Sequence, residues 1–324
     1  MIRTLRTLAL KTGERMRVAA LRAPAGRYAD AIRRFLNHKG QPWLLHVDLA
    51  NQGKTDRLNT TYTIGLAGTA IVGNVMIVDD GRVGILGHVF TDPAHRRKGI
   101  CQHLMAGALE DFTGRGGLAL GLGTGYNSPA YWIYHAFGFR SVGPGSGHML
   151  FEATPGAIAR SFAPARASVR DALWHDWPGI SLLLMQPAGD RLRCKAYGVT
   201  GPDGFEGGFL QLQSQRERLQ AQAKVLATHR GIAGFALLQR DPQWPSGIHT
   251  LDFFVHPSFR EHQNPLLRSL DLPRDAKIQA YVDRPSTDRS RALRGLGFRR
   301  EVILSRQLRT APSHADVLLY ALST

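Results

Sequence analysis

The sequence predicts an α/β protein of α+β character, laid out as two tandem domains. Its length of 324 residues is about twice a common domain size. From His88 to Met105 a strand, a proline, a basic glycine-containing turn and an apolar helix start come one after another. The same alternation returns near residue 250, which marks an internal repeat.

In the first copy, His88-Val89-Phe90-Thr91 is a β-branched and aromatic run, and Pro93 ends it. Asp92 is expected to finish the strand or to cap the turn at Pro93. Arg96-Arg97-Lys98-Gly99-Ile100-Cys101 then feeds the helical run Leu104-Met105-Ala106. The first amides of a helix lack intrahelical acceptors and sit at the positive end of its dipole. Such a turn gathers N–H donors around a small volume suited to a pyrophosphate. Gly99 permits a close backbone approach or a positive φ, and Arg96, Arg97 and Lys98 add charge. Taken alone, the same residues also describe a solvated basic helix start.

About thirty residues downstream, Leu118 to Leu122 reads as a strand, followed by Asn127, a helix carrying Ala130 and Tyr134 on one face, and Gly138-Phe139 opening another strand. Together the two segments resemble the GNAT superfamily of acyl-CoA-dependent N-acyltransferases. Its signature (Gln/Arg)-x-x-Gly-x-(Gly/Ala) is met by Arg96, Gly99 and Cys101, with cysteine standing where glycine or alanine is usual. Its second signature is met at every spacing by Asn127, Ala130, Tyr134, Gly138 and Phe139.

The resemblance implies a mixed, mostly antiparallel sheet in each domain, with a splayed central strand pair flanked by helices. It implies acetyl-CoA or another acyl-CoA as cofactor, bound by Val89, Phe90, Thr91, Arg96, Arg97, Lys98, Gly99, Ile100, Cys101, Asn127, Ala130 and Tyr134. An amine-bearing acceptor would attack the thioester directly. By the same resemblance, Tyr134 protonates the departing thiolate, and a backbone N–H within Val89 to Thr91 polarises the carbonyl.

The base is read less directly. Many relatives place a glutamate six residues before the motif proline, where this chain has Gly87. The neighbouring His88 has a suitable intrinsic pKa. Strand alternation turns it to the opposite face unless a bulge re-aims it. A water relay, or an amine that arrives neutral, stands beside it as an alternative.

The second copy runs from Gly247 to Arg260, then Lys277 to Val282 as the next strand, a polar helix around Ser290 to Leu296, and Gly297-Phe298. Val225 to Leu238 reads as two strands joined by a tight turn. After Arg260 comes Glu261-His262-Gln263, with no glycine and with an acid beside the would-be phosphate site, and Arg294 stands in the region of the tyrosine. This copy is expected to be a degenerate GNAT-like domain that does not bind acyl-CoA in the usual way. The expected layout is an N-terminal extension at 1–15, an acyl-CoA-binding catalytic domain at 16–152 beginning with the strand Met16 to Leu21, a linker at 153–166 and the degenerate domain at 167–324.

Composition narrows the remaining classes. The formal net charge is +16, which suits an anionic partner, coenzyme A included, but the basic residues are dispersed with no Lys/Arg tract. Two cysteines, Cys101 and Cys194, make no disulfide framework and point to a reducing, cytoplasmic setting. Cys101 is read as a small packed residue of the turn rather than a nucleophile. Thirteen histidines lack zinc spacing, so no metal is expected. Gly121-Leu122-Gly123-Thr124-Gly125 lacks the third glycine of a dinucleotide fingerprint and reads as a strand end that splays. No stretch approaches the about 18 apolar residues of a spanning helix. A monomer or homodimer is expected. Two other functions remain open: an aminoacyl-tRNA-dependent transferase, against which the intact Arg96-x-x-Gly99 turn argues, and a non-catalytic acyl-CoA sensor, against which Asn127 and Tyr134 argue.

Overall fold

The computed structural model describes residues 2–244, 247–284, 286–310 and 313–323. Along the chain the elements are β1 (Ile2–Ala9), β2 (Arg15–Arg22), α1 (Ala29–Phe35), α2 (Trp43–Asn51), β3 (Asn59–Ala67), β4 (Ala70–Asp79), β5 (Val83–Thr91), α3 (Ile100–Gly114), β6 (Ala119–Gly123), α4 (Pro129–Ala136), β7 (Arg140–Ser141), β8 (His148–Glu152) and α5 (Ala157–Ser161). They continue with β9 (Ala167–Asp171), α6 (Trp177–Leu184), β10 (Leu192–Cys194), β11 (Val199–Thr200), α7 (Glu206–Gln215), β12 (Gln222–Thr228), β13 (Gly231–Arg240), β14 (His249–Val255), α8 (Gln263–Arg268), β15 (Lys277–Asp283), α9 (Thr287–Gly295), β16 (Arg299–Thr310) and β17 (Ser313–Ser323). Among the described residues no helix is long and apolar enough to cross a membrane.

The chain divides into two compact units: Met1–Ile158 with Leu173–Leu182, and Ala159–Ala172 with Leu183–Thr324. Each holds one mixed sheet. In the first the strand order is β1-β2-β3-β4-β5-β6-β8-β7, and in the second, read from its other edge, β9-β12-β13-β14-β15-β17-β16. Leaving β1 aside, the two orders are the same. Four antiparallel strands lead to a single parallel step, β5 to β6 or β14 to β15, and a closing hairpin folds back so that its later strand lies inside.

In the first unit, α3 lies across the sheet because its apolar residues recur at helical spacing: Ile100, Leu104, Met105, Ala108 and Phe112 are buried with Val18, Val75, Ile77 and Leu86. Its N-terminal turn seats close to β4 because Gly73 has no side chain. A Cβ there would stand 2.8 Å from Leu104 and 2.9 Å from Ile100.

Three expectations about boundaries are corrected. Residues 1–15 are not an extension outside the domain, since β1 pairs antiparallel with β2 along its length. Arg3 and Arg6 also reach Asp111 and Glu110 at the far end of α3. The strand expected to open the domain is therefore its second. The stretch 153–166 is not a plain linker, because it contains α5. Finally, the first unit is not finished at residue 152, because residues 173–182 return to it. The physical reason is aromatic: Trp177 is 2% exposed and its ring meets His46 of α2 at 5.2 Å between centroids. Trp174 meets the same histidine at 6.2 Å, while its amide donates to Asp56 at 2.7 Å. Sequence periodicity cannot register a segment that crosses a boundary and comes back.

Trp177→Ala should therefore destabilise the first unit by ~3–5 kcal/mol, the range for truncating a buried aromatic. Urea unfolding followed by circular dichroism checks this. A midpoint unchanged from wild type would mean that the returning segment is not part of that unit's core.

Candidate active site

β5 and β6 pair only through Val83–Ala119, Gly84–Leu120 and Ile85–Gly121. Beyond them the strands separate, so among the described residues β5 from Gly87 to Thr91 has no neighbouring strand on that side. Val89, Phe90 and Thr91 favour the extended strand, and the open edge comes from the parting. Gly87 lies where the strands have parted, and a Cβ there would have nothing within 4 Å.

The turn after β5 is built by backbone geometry. Asp92 accepts a hydrogen bond from the Ala94 amide at 2.8 Å, which caps the short turn Pro93–His95. Arg97 has φ +62° and Gly99 φ +86°, both left-handed, and no side chain caps α3 at Gly99. Alternation of this kind turns successive N–H groups to one side as an anion-binding concavity. Around Gly99 an added Cβ would touch only side-chain ends at 3.7–4.0 Å, so the space in front of the turn is open. The charges there are arranged differently from expectation. Lys98 is ion-paired to Glu14 at 2.7 Å, so its charge is already balanced. Arg96 lies over the Phe90 ring at 6.0 Å and donates to the Thr91 carbonyl at 3.3 Å. Arg97 is exposed with no partner among the described residues. Ile100 and Cys101 face the core, and burial pushes the Cys101 thiol upward, away from nucleophilic use.

His88 is where the strand breaks its alternation. Asn74 pairs with Phe90 and Met76 with Gly87, which leaves His88 and Val89 opposite Val75 alone. This is a β-bulge. His88 takes φ +50°, a conformation uncommon for any residue with a side chain. The bulge turns His88 to the side of Phe90, where it meets Trp43 edge-on at 5.9 Å, while Val89 packs into the core beneath α3. Asn74, buried in an otherwise apolar strand, holds the distortion by donating to the His88 carbonyl at 2.9 Å.

Around His88 stand residues that sequence reasoning did not reach. Phe90 contacts Phe35 at 5.2 Å and His38 at 4.0 Å. On α2, Trp43 and His46 are one turn apart and so share a face. His46 is fully buried, with Nε2 3.0 Å from Thr60 Oγ1 and Nδ1 without a partner among the described residues. His88 Nε2 is also buried and unpartnered. Burial lowers His88 to about 4, helped by the charge of Lys39 and by His38 and opposed by a hydrogen bond to the Trp43 backbone. Burial takes His46 to about 3, with His88 adding to the effect. The i, i+3 spacing of Trp43 and His46 was the one available signal, and it is weak by itself.

The second signature forms its own corner of the same unit. Asn127 has φ +59° and accepts from the Trp132 indole at 2.8 Å. Ser128, with Pro129 next to it, caps α4 by accepting from the Tyr131 amide at 3.2 Å. Ala130 and Tyr134 share one face of α4, and Tyr134 is buried against Phe139 at 6.1 Å.

The second unit treats its own parting strands differently. β14 and β15 pair through His249–Ile278, Thr250–Gln279 and Leu251–Ala280. Just beyond, the amides of Lys195 and Ala196 each donate to the buried Asp252 at 2.8 Å, and Cys194 Sγ lies 3.6 Å from it. The Arg191 amide donates to Asp283 at 3.1 Å. Thus residues 191–196 of the chain occupy the place where these strands part. No left-handed glycine turn precedes α8, which is only six residues long. Elsewhere in the first unit, a hollow of about 330 Å³ lined by Arg3, Arg22, Glu110, Asp111 and Arg115 lies at the opposite end of α3 from Gly99 and is crossed by ion pairs.

The two depressed histidines fix a pH dependence. Below the ordinary value of 6.5 the unfolded chain takes up protons that folded His88 and His46 refuse, so stability is full above about pH 6.5 and falls as pH drops towards 4 and then 3. NMR of the His88 ring should give a midpoint near 4, with urea midpoints declining across the same window. A His88 midpoint at 6.5 would contradict the buried placement.

Residues 29–139 match the family model for the acetyltransferase (GNAT) family. No curated protein matches the chain. Among solved structures, an N-acetyltransferase from Staphylococcus aureus Mu50 is similar at 16% identity and TM-score 0.42, over 49% of this chain and 99% of its own. A ribosomal-protein-S5-alanine acetyltransferase from Vibrio fischeri aligns at 18% identity and TM-score 0.37, covering 50% and 95%. A spermidine N-acetyltransferase from Vibrio cholerae, in complex with CoA and spermine, aligns at 14% and 0.39, covering 48% and 95%. The matched segment runs from α1 to Phe139, the residue before β7, and takes in the turn, the bulge and both signatures. Residues 29–139 of this chain are an acetyltransferase domain of the GNAT family.

Proposed function

We propose that the first unit transfers an acetyl group from acetyl-CoA to an amine acceptor by direct attack. One observation carries the reading: the free stretch Gly87–Thr91 of β5 ends in an uncapped helix start with left-handed Gly99. An extended acyl-pantetheine arm needs an open strand edge, and its pyrophosphate needs converging amides.

The roles come from what the reaction requires. The amides of Arg97 to Cys101 would receive the pyrophosphate, with the free Arg97 guanidinium beside them. The acceptor nitrogen forms a bond to the thioester carbon, and a backbone N–H within Val89–Thr91 stabilises the developing oxyanion. The carbon–sulfur bond breaks, and Tyr134 gives its hydroxyl proton to the leaving thiolate. His88, neutral at pH 7 because burial and Lys39 oppose its charge, takes the proton that the amine nitrogen loses. Asn127 and Ala130 shape the α4 side. Acetyl-CoA would bring the thioester, and the chain supplies orientation and proton transfer.

Calorimetry with coenzyme A should give one site per chain, because the second unit fills its own strand gap. Gly99→Glu should abolish that binding: a glutamate strains the left-handed position and sets a carboxylate against the phosphates. Two equivalent sites, or unchanged affinity in the variant, would refute the assignment.

Tyr134→Phe should lower kcat by about 10²- to 10⁴-fold, the usual worth of general acid assistance, with acyl-CoA affinity nearly unchanged. Thiol release measured across a panel of amines checks it. Wild-type kcat where chemistry limits turnover would return Tyr134 to a packing role.

A further inference from the structure

The side of β5 opposite α3 carries, around His88, further groups to which the transfer chemistry assigns no role. Lys39, on the short turn Asn37–Lys39 before α2, is half-buried. It has no carboxylate within 4 Å and no hydrogen-bond partner among the described residues. Of the other lysines, Lys98, Lys195, Lys224 and Lys277 are ion-paired to Glu14, Asp241, Asp171 and Glu301, and Lys11 and Lys54 are exposed, so among the described residues Lys39 is the half-buried lysine without a carboxylate. Removing an ammonium from water without a counter-charge costs stability. Its charge reaches His88, and burial lowers its own ionisation. Beside it, His88 Nε2 and His46 Nδ1 are buried nitrogens with nothing to bond, and such groups in a native structure call for a partner. Trp43, Phe90 and His38 supply apolar and aromatic surface around them.

Resting on the transferase reading above, we propose that this cluster is the acceptor subsite and that Lys39 binds a carboxylate carried by the amine acceptor, an amino-acid-like molecule whose nitrogen faces His88. Charge counting favours this class. One unpaired ammonium balances one negative charge, whereas a phosphate group calls for several donors. A polyamine would bring a second cation against Lys39. The arrangement also couples binding to chemistry. The groups facing His88 are Lys39, His38, His46 and the Trp43 backbone, and of these Lys39 is the cation whose repulsion a bound carboxylate offsets. His88 thereby becomes a stronger base when the acceptor is in place.

The test uses the full chain with N-acetylglycine and, as an isosteric neutral control, N-acetylglycinamide. N-acetylglycine should bind at least about tenfold more tightly, as expected for a charge-assisted pair. It should also raise the NMR titration midpoint of His88. Lys39→Met should erase the difference between the two probes, and Lys39→Arg should retain it while controlling for folding. Equal binding of the probes to wild type, or a preference that survives Lys39→Met, overturns the subsite. Coenzyme A titrated into the same samples reads the transferase assignment separately. Intact coenzyme A binding with no carboxylate preference removes the subsite alone, while lost coenzyme A binding removes the acceptor identity together with the enzyme reading.

Discussion

Three residue pairs of parallel sheet set the conditions for everything else in the first unit. Because β5 and β6 stay together only through Ile85 and Gly121, the end of β5 is a strand with one unpaired edge inside a folded domain. Unpaired backbone groups are a liability unless something meets them. In the first unit the edge is left beside an uncapped helix start. In the second, the chain turns its own residues 191–196 onto the acids at the corresponding place. One topology thus produces an open cleft and a filled one, and the difference is local sequence.

The bulge at His88 is the second constraint, and it depends on the first. A strand paired on both edges resists an extra residue, whereas β5 carries it where only β4 is its neighbour. Asn74 then fixes the distortion through one hydrogen bond to the His88 carbonyl. The cost of a left-handed histidine is met by that bond and by the packing of Trp43. Aromatic and histidine residues of α1, α2 and the turn between them gather on the side to which the bulge turns, so the two faces of β5 differ: one holds α3 and its turn, the other a group of histidine and aromatic rings.

Much of this was legible in the residues themselves. The family resemblance located both signatures, and Gly99, Asn127 and Tyr134 sit on local geometry that sequence writes directly: a left-handed turn, a capped helix, a helical face. Strand patterns at 225–238 and 277–282 match β12, β13 and β15 for the same reason. The bulge could be named only as a condition, since nothing in His88-Val89 declares an extra residue until the pairing with Asn74 and Met76 is known. Lys98 was read as free charge because Glu14, 84 positions away, is joined to it only by folding. Likewise His46 and Trp177 are brought together by tertiary packing, for which no periodicity exists.

The return of residues 173–182 has a consequence for how the protein is made. On a ribosome the family-matched segment is finished long before Trp174 and Trp177 emerge, and domains ordinarily fold in the order of synthesis. Here the buried face around His46 stays uncovered until the chain has entered its second unit and come back. A nascent chain that has not reached residue 174 therefore lacks the two indoles that pack against His46 in the folded unit.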